Sequence, residues 1–579
     1  MGKGEDLTAK GQYRLVKTET QSGIKVKPSY GPDDIEGLDY EKDLGDPGQW
    51  PFTRATHDGL YRNMLWLHEN LYMTGSERFK ETWIHRVGLS NPNPPGYDGN
   101  FFYNPCDAAR EAGVDPDHPM ARLEIGCAGN VHYCLRNLED DLETVPNEKL
   151  KTLYLCSLDA PSHGDTPRYA QHIALFEKRG IPLEEMRGFQ VNDGIHIHII
   201  RWCDSNPLDL SFRLSVDSME FSARNTPRYY PICPNMYDMR ETGIDVIQEV
   251  AFNLSERIAF IDEAMKRGIK FEQLTHRIDI SFTGEIDFFE TICKIRAARR
   301  MWARIAKERY GCTDPKYMRP PTGINMAGSA MTAQQPVNNI SRIAIISLAC
   351  ALAGVRSIQP KNFLEPLPVP WLPGTMYPSI ATQYIIAHET GVPLVADPLG
   401  GSYYVEWLTN KIEEEASKLM KEIEDRGGIL ECIRSGWIQG EAEKKALDLQ
   451  RELEEGRRIQ VGVNAFQIPK DIEVPIPEIE LEDLEKCPGG EKFESLEEYQ
   501  LKILKEIKEF KEGRDSARTR EGMLRLREAS GNGENLIRPM IEAYKADATT
   551  GEVMGMIREG MGYSYDPFNA IERPEFLNQ

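Results

Sequence analysis

Short β-rich runs alternate with long amphipathic stretches through the middle of this 579-residue chain, and that alternation limits the fold more than any other feature. The β-rich runs are KTLYLCSLDA, GFQVND, YYPICPNMYD, HRIDISF, GVRSIQ and PLVADPLGG. Between them lie stretches with helical spacing, such as IDVIQEVAFNLSERIAFIDEAMKRG and DFFETICKIRAARRMWARIAKERYG. Strands separated by helices pair in parallel. About eight such units predict an α/β fold of the (β/α)8 TIM-barrel type. A doubly wound sheet is the alternative, but no G-x-G-x-x-G follows the first strand.

The flanks differ from this middle. Residues 1–50 are irregular and read as an N-terminal arm, with the barrel and its following helices over 51–470. DIEVPIPEIELEDLEKCPGGEKFE is rich in Pro, Gly and Glu and reads as a linker, so 471–579 is a linker plus a C-terminal helical extension. The formal charge of −22 argues against nucleic acid, whose phosphates call for Lys and Arg. IAIISLACALAGV is too short to span a bilayer and the N-terminus lacks the apolar core of a signal peptide, so a cytoplasmic protein is expected. Eleven scattered cysteines without a C-x-x-C pair do not suggest a zinc site, an iron–sulfur site or a disulfide framework.

In a (β/α)8 barrel the catalytic residues gather at the C-terminal ends of the strands. That rule selects Ser157, Asp159, Asn192, Asp193, Tyr237, Asp238, Arg240, Glu241, Arg277, Asp279 and Asp397. Any one of them is more often a cap or turn residue. Together they predict a polar mouth rich in carboxylates. His196 and His198 share a face only on a strand, and without a third ligand they do not predict a metal site. PKNFLEPLPVPWLPG holds five prolines and predicts a stiff loop after a strand.

Several longer segments then point to a family. PFTRATHDGLYRNMLW, ADPLGGSYYVEWLT, GWIQGEAEKKALDLQRELEEGRRIQVGVNAF and ENLIRPMIEAYKADATTGEVMGMIREGMG resemble the methylmalonyl-CoA mutases over roughly residues 40–575. The resemblance implies a barrel that closes against a cobalamin-binding domain, with adenosylcobalamin as cofactor and radical rearrangement as chemistry. It also implies, for a chain without the D-x-H-x-x-G motif, a small cobalamin-binding subunit as partner, as in the split isobutyryl-CoA and 2-hydroxyisobutyryl-CoA mutases. A G-protein reactivase chaperone is a further implied partner.

Carried over by position, Tyr237 and Glu241 in MYDMRETG match the family's Tyr and its cobalamin-facing Glu. Arg201 falls on the Arg that grips the substrate carboxylate, Arg277 on an Arg of the coenzyme A channel, and Glu365 on the Glu beside the adenosyl ribose. Asn362 lies one place from the expected Asn. Other positions depart. Leu71 replaces the active-site Tyr, Met64 and Glu69 replace two arginines of the coenzyme A tail, and Phe189 and Val191 replace a Thr and a Gln. Asp238 stands where a His should hold the thioester carbonyl, and Pro321, Gly323 and Asn325 replace R-x-H-x-Q.

Loss of arginines and gain of carboxylates disfavour a large anion such as coenzyme A. The expected catalytic set is Asp238, Tyr237, Arg201, Asp159 and Asp279, with Glu241, Glu365, Asn362 and Asn325 on the cofactor side. Arg277, His57, Leu71, Phe189, Val191 and Arg356 fall on the substrate side. The reading is the large subunit of an adenosylcobalamin-dependent radical isomerase whose substrate is not methylmalonyl-CoA. The alternative is a radical lyase that acts on a glycol ether or diol and releases an aldehyde, and a third is a scaffold without activity.

Overall fold

The computed structural model describes residues 18–68, 101–103, 109, 112–121, 125, 131–157, 165–200, 205–367, 373–473 and 496–577. These residues build a mixed α/β fold whose eight strands all pair in parallel. The chain forms two compact units that interleave along the sequence. The first comprises Met1–Leu71, Asn235–Ala259 and Asp279–Glu478, and the second Tyr72–Pro234, Phe260–Ile278 and Ile479–Gln579.

In the first unit β1 (Leu67–His68), β6 (Ile280–Gly284), β7 (Thr322–Met326) and β8 (Ser357–Gln359) pair in the order β1-β8-β7-β6. The first strand of the chain therefore lies beside the last, which is the order a cyclic sheet produces. In the second unit β2 (Phe101–Tyr103), β3 (Tyr154–Ser157), β4 (Arg187–Gln190) and β5 (Arg228–Tyr230) pair consecutively. The helices Leu496–Gly513, Ser516–Gly531, Ile537–Lys545 and Thr550–Gly560 belong to the second unit. Among the described residues no helix is long and apolar enough to cross a membrane. The seven described cysteines are all buried.

Two strand expectations need correction. YYPICPNMYD is a strand only over Arg228–Tyr230; Met236–Glu241 is a helix. Asn235 starts that helix because its side chain accepts from Tyr237 N at 3.2 Å, as an N-cap should. PLVADPLGG forms no strand, but a short 3-10 turn at Val392–Leu394 followed by a loop. Asp397 of that loop accepts from Arg54 Nε at 3.1 Å and pairs with Arg296 Nη1 at 2.7 Å. Arg296 also pairs with Glu406 at 2.6 Å. DPLGG and SYYVE thus meet on one buried arginine of helix Phe288–Glu308, and PFTRATH joins them through Asp397. Their distinctive spelling reflects this ion network, which leaving any one partner alone would make costly.

Candidate functional site

The two faces of the first unit's sheet differ sharply in chemistry. Side chains alternate along a strand. Ile280, Phe282, Ile324 and Ile358 are buried on one side, where Ile324, Ile346 and Cys350 close around Gly284. The other side carries Ser281, Gly323 and Ser357 in one register layer and Thr283, Asn325 and Gln359 in the next. Bulky branched residues usually fill the interior of a (β/α)8 sheet. Here the side chains are small or polar, and Asn325 Oδ1, Ser357 Oγ and Gln359 Nε2 are buried without a hydrogen-bond partner. Such atoms are rare in folded proteins, and each costs about 1–3 kcal/mol unless something completes it.

At the N-terminal end of this polar face lies an ion pair. Arg356 Nη2 donates to Asp279 Oδ2 at 3.1 Å. Asp279 is buried, and its Oδ1 has no hydrogen-bond partner. Burial pushes its carboxyl up, and Arg356 and then Arg257 pull it back. A Cβ on Gly323 would stand 3.1 Å from Ser357 Oγ and 3.5 Å from Asp279 Oδ2, so glycine at this position keeps the carboxylate uncovered. Both Asp279 and Arg277 precede β6, so neither sits at the C-terminal strand end that the barrel rule assigned to it.

At the opposite end the helix Met236–Glu241 presents Tyr237, Asp238 and Glu241. Glu241 accepts Gly328 N at 2.9 Å and Ser329 N at 2.8 Å, which fixes its carboxylate. Burial and then Glu285 push that carboxyl up, against the two amides and Lys361. A Cβ on Gly328 would lie 3.0 Å from the Tyr237 hydroxyl, so this glycine leaves room beside the phenol. Asp238 accepts from Asn235 Nδ2 at 2.6 Å and so belongs to the start of the helix as well as to the mouth. Arg240 pairs with Glu285 at 3.2 Å.

After β8, Lys361 is 3% exposed and holds its ammonium 4.0 Å from the centroid of the Tyr237 ring. Glu365 Oε1 lies 3.8 Å from Lys361 Nζ, and Glu365 Oε2 has no hydrogen-bond partner. Burial raises the Glu365 carboxyl against the pull of Lys361. Burial would lower the Lys361 ammonium, but Tyr237, Glu365 and Glu241 together outweigh it and hold it above its ordinary value. Asn362 is fully buried and accepts Leu364 N at 3.0 Å, so it shapes the turn.

All of Tyr237, Asp238, Glu241, Asp279, Asn325, Arg356, Asn362 and Glu365 belong to the first unit, with Asp279 and Arg356 at one end of its sheet and Tyr237, Asp238, Glu241 and Glu365 at the other. His57 is exposed, with Nδ1 3.0 Å from Thr56 Oγ1. In the second unit Phe189 and Val191 are buried, Val191 O accepts Cys233 N at 3.0 Å, and Arg277 Nη1 donates to Ser222 O at 2.5 Å. His196 Nδ1 lies 2.8 Å from Asp193 O, and His198 Nε2 lies 3.0 Å from Ser211 Oγ, so the two rings serve different partners. Leu71, Asp159 and Arg201 lie outside the described residues. Lys361 is the residue that reading the sequence missed. Its signal was present: a lysine directly after a strand, four residues before Glu365.

Comparison with known proteins agrees with this architecture. The family model for methylmalonyl-CoA mutase matches residues 19–563. The chain is similar to the 2-hydroxyisobutanoyl-CoA mutase large subunit of Aquincola tertiaricarbonis, at 29% identity over 95% of this chain and 93% of that one. It is also similar to the methylmalonyl-CoA mutase of Rhizobium meliloti, at 28% identity over 94% of this chain and 72% of that one. The human mitochondrial methylmalonyl-CoA mutase shows 28% identity over 94% of this chain and 68% of its own length. With the family match running across nearly all of its residues, the chain belongs to the methylmalonyl-CoA mutase family.

Proposed function

We propose that this chain is the catalytic large subunit of an adenosylcobalamin-dependent radical isomerase whose substrate is not methylmalonyl-CoA. A small subunit bearing the D-x-H-x-x-G motif would hold most of the cofactor, and a G-protein reactivase would service the complex. The similarity to a protein named as a large subunit, over 93% of that protein, supports the two-subunit form.

The observation that carries the reading is the group Tyr237, Glu241, Lys361 and Glu365 beyond the C-terminal strand ends, beside a polar sheet face. The residues fit the cofactor's adenosyl end: the room beside Gly328 and the orphaned Glu365 Oε2 suit a hydroxyl-bearing group. When bound, adenosylcobalamin supplies hydrogen abstraction through homolysis of its cobalt–carbon bond. Glu241 and Tyr237 supply a fixed carboxylate and a phenol at that end, and the polar face below them orients the substrate.

The pair Asp279–Arg356 argues for an unusual substrate. Arg356 is already engaged by a carboxylate, and Asp279 adds negative charge on the face a substrate would occupy. A second reading, radical cleavage of a diol or glycol ether, is favoured by one specific feature. Asp279 Oδ1 and Asn325 Oδ1 are open acceptors, and Gln359 Nε2 is an open donor. Hydroxyl groups satisfy both kinds of atom. Reconstitution with a cobalamin-binding small subunit and adenosylcobalamin tests the proposal. Acyl-CoA thioesters, diols and hydroxyethyl ethers are screened for a substrate-dependent change in cobalamin absorbance. A response to one class identifies the reaction, and silence with every class would reject catalysis.

A further inference from the structure

The helix Met236–Glu241 has six residues, too few to hold its own geometry in water. Residues four apart share a helix face, so it carries two stripes. Tyr237 and Glu241 face the loop after β7, where Glu241 accepts the Gly328 and Ser329 amides and a Cβ on Gly328 would stand 3.0 Å from the Tyr237 hydroxyl. Met236 and Arg240 face the end of β6. Thr283 Oγ1 donates to Met236 O at 3.4 Å, and Arg240 Nε lies 3.2 Å from Glu285 Oε1. Asn235 caps the first turn, and Arg240 is the charged anchor of the last.

Arg240 and Glu285 are 8% and 5% exposed. Their contact is one of charge, since Nε and Oε1 are not aligned as a hydrogen bond. Glu285 is itself fixed: its N–H donates to Thr291 Oγ1 at 3.1 Å, and its carbonyl accepts that hydroxyl at 3.2 Å. The other acids around Arg240 have partners of their own. Asp245 pairs with Lys445, Glu249 pairs with Lys294, and Glu290 accepts Ser22 N. Burial pulls the Arg240 guanidinium down, but Glu285, then Glu249, Glu290 and Asp245, hold it above its ordinary value.

We propose that Arg240 and Glu285 are positioning residues, whose buried ion pair sets the rotation of this helix and so aims Glu241 and Tyr237 at the loop after β7. An α-helix turns by about 100° per residue, so release of its last turn swings both side chains off that loop together. The tether rests on the reading that Tyr237 and Glu241 serve the cofactor end, and adds what keeps them there. Its test needs no cobalamin.

Hydrogen exchange of the full chain, read by mass spectrometry with fragmentation that resolves Gly328 and Ser329, is the experiment. Glu241→Ala gives the exchange of the fully freed amides. Glu285→Gln removes the tie but strands the guanidinium; Arg240→Met combined with Glu285→Gln removes both charges. The tether predicts that the Gly328 and Ser329 amides exchange at least about tenfold faster in the single and the double variant, the factor expected for losing a hydrogen bond to a charged group. The amides of β6 and of helix Phe288–Glu308 keep wild-type exchange in the double variant. A role confined to balancing buried charge predicts instead that the double variant returns Gly328 and Ser329 to wild-type exchange. That return, or wild-type exchange at both amides in every folded variant, overturns the tether. If Glu285→Gln fails to fold, by near-UV circular dichroism, the double variant decides. Because cobalamin is absent, a negative result rejects the tether alone, and the cofactor reading stands or falls in the reconstituted complex.

Discussion

Arg356 reaches Asp279 across the starts of β8 and β6, with Nη2 3.1 Å from Oδ2, and the carboxylate it holds is buried. Removing the guanidinium strands that charge, so Arg356→Met should destabilise the fold by about 3 kcal/mol at neutral pH. The pH dependence has a definite sign. Burial already raises the folded carboxyl above its ordinary value. Its stabilising contribution is therefore complete below the unfolded value and is lost as pH rises through the folded one. Without Arg356 the folded value climbs further, so the deficit against wild type should grow as pH rises through the folded carboxyl's titration. Urea unfolding at several pH values measures this, and a deficit that shrinks with rising pH would contradict it.

Lys294 and Glu249 form a second buried pair, behind β6. Lys294 Nζ donates to Glu249 Oε2 and to Thr283 O, both at 2.5 Å, while Glu249 Oε1 accepts Thr283 N at 2.6 Å. This pair pins the end of the strand that carries Thr283. Lys294→Met should cost about 3–5 kcal/mol because it leaves a buried carboxylate alone, and the double variant with Glu249→Gln should recover part of that loss. Equal losses in the single and double variants would show that the charge is not the cause.

The alternation of strands and helices made the parallel α/β fold legible, and the β6 and β8 runs were found where they lie. Strand β7 was harder, because Pro321, Gly323 and Asn325 depress any strand signal, although that small and polar content is what makes its face useful. YYPICPNMYD misled because apolar residues continue past Tyr230, while Asn235 caps a new helix and ends the extended chain. Reading the sequence placed Asp279 at a C-terminal strand end, whereas the strand bounds put it just before β6, because the extended run starts only at Ile280. Lys361 was hidden by the Asn beside it, because matching by residue type favoured Asn362.

The role of Asn362 in the turn is measurable. It accepts Leu364 N, so Asn362→Ala should cost about 1 kcal/mol of stability. Thermal unfolding checks this, and an unchanged midpoint would show that the turn does not depend on that side chain.

Asp238 accepts from Asn235 Nδ2 at 2.6 Å. Asp238→Asn should cost about 1 kcal/mol of stability, since it weakens that contact without removing volume. If the carboxylate also handles substrate hydroxyls, turnover in the reconstituted complex should fall by on the order of a hundredfold, the scale of a general acid or base. Asp238→His alone should not create turnover of methylmalonyl-CoA, since Asp279 remains held by Arg356. Unchanged turnover in both variants would remove Asp238 from the chemistry.

Deuterium transfer tests the central claim most directly. The complex of this chain, a cobalamin-binding small subunit and adenosylcobalamin is incubated with deuterated candidates, and the cofactor's 5′-methylene is analysed by mass spectrometry. The account predicts deuterium in the cofactor from a substrate other than methylmalonyl-CoA, with hydroxyl-bearing compounds the first to try, and none from deuterated methylmalonyl-CoA. Efficient transfer from methylmalonyl-CoA would contradict it.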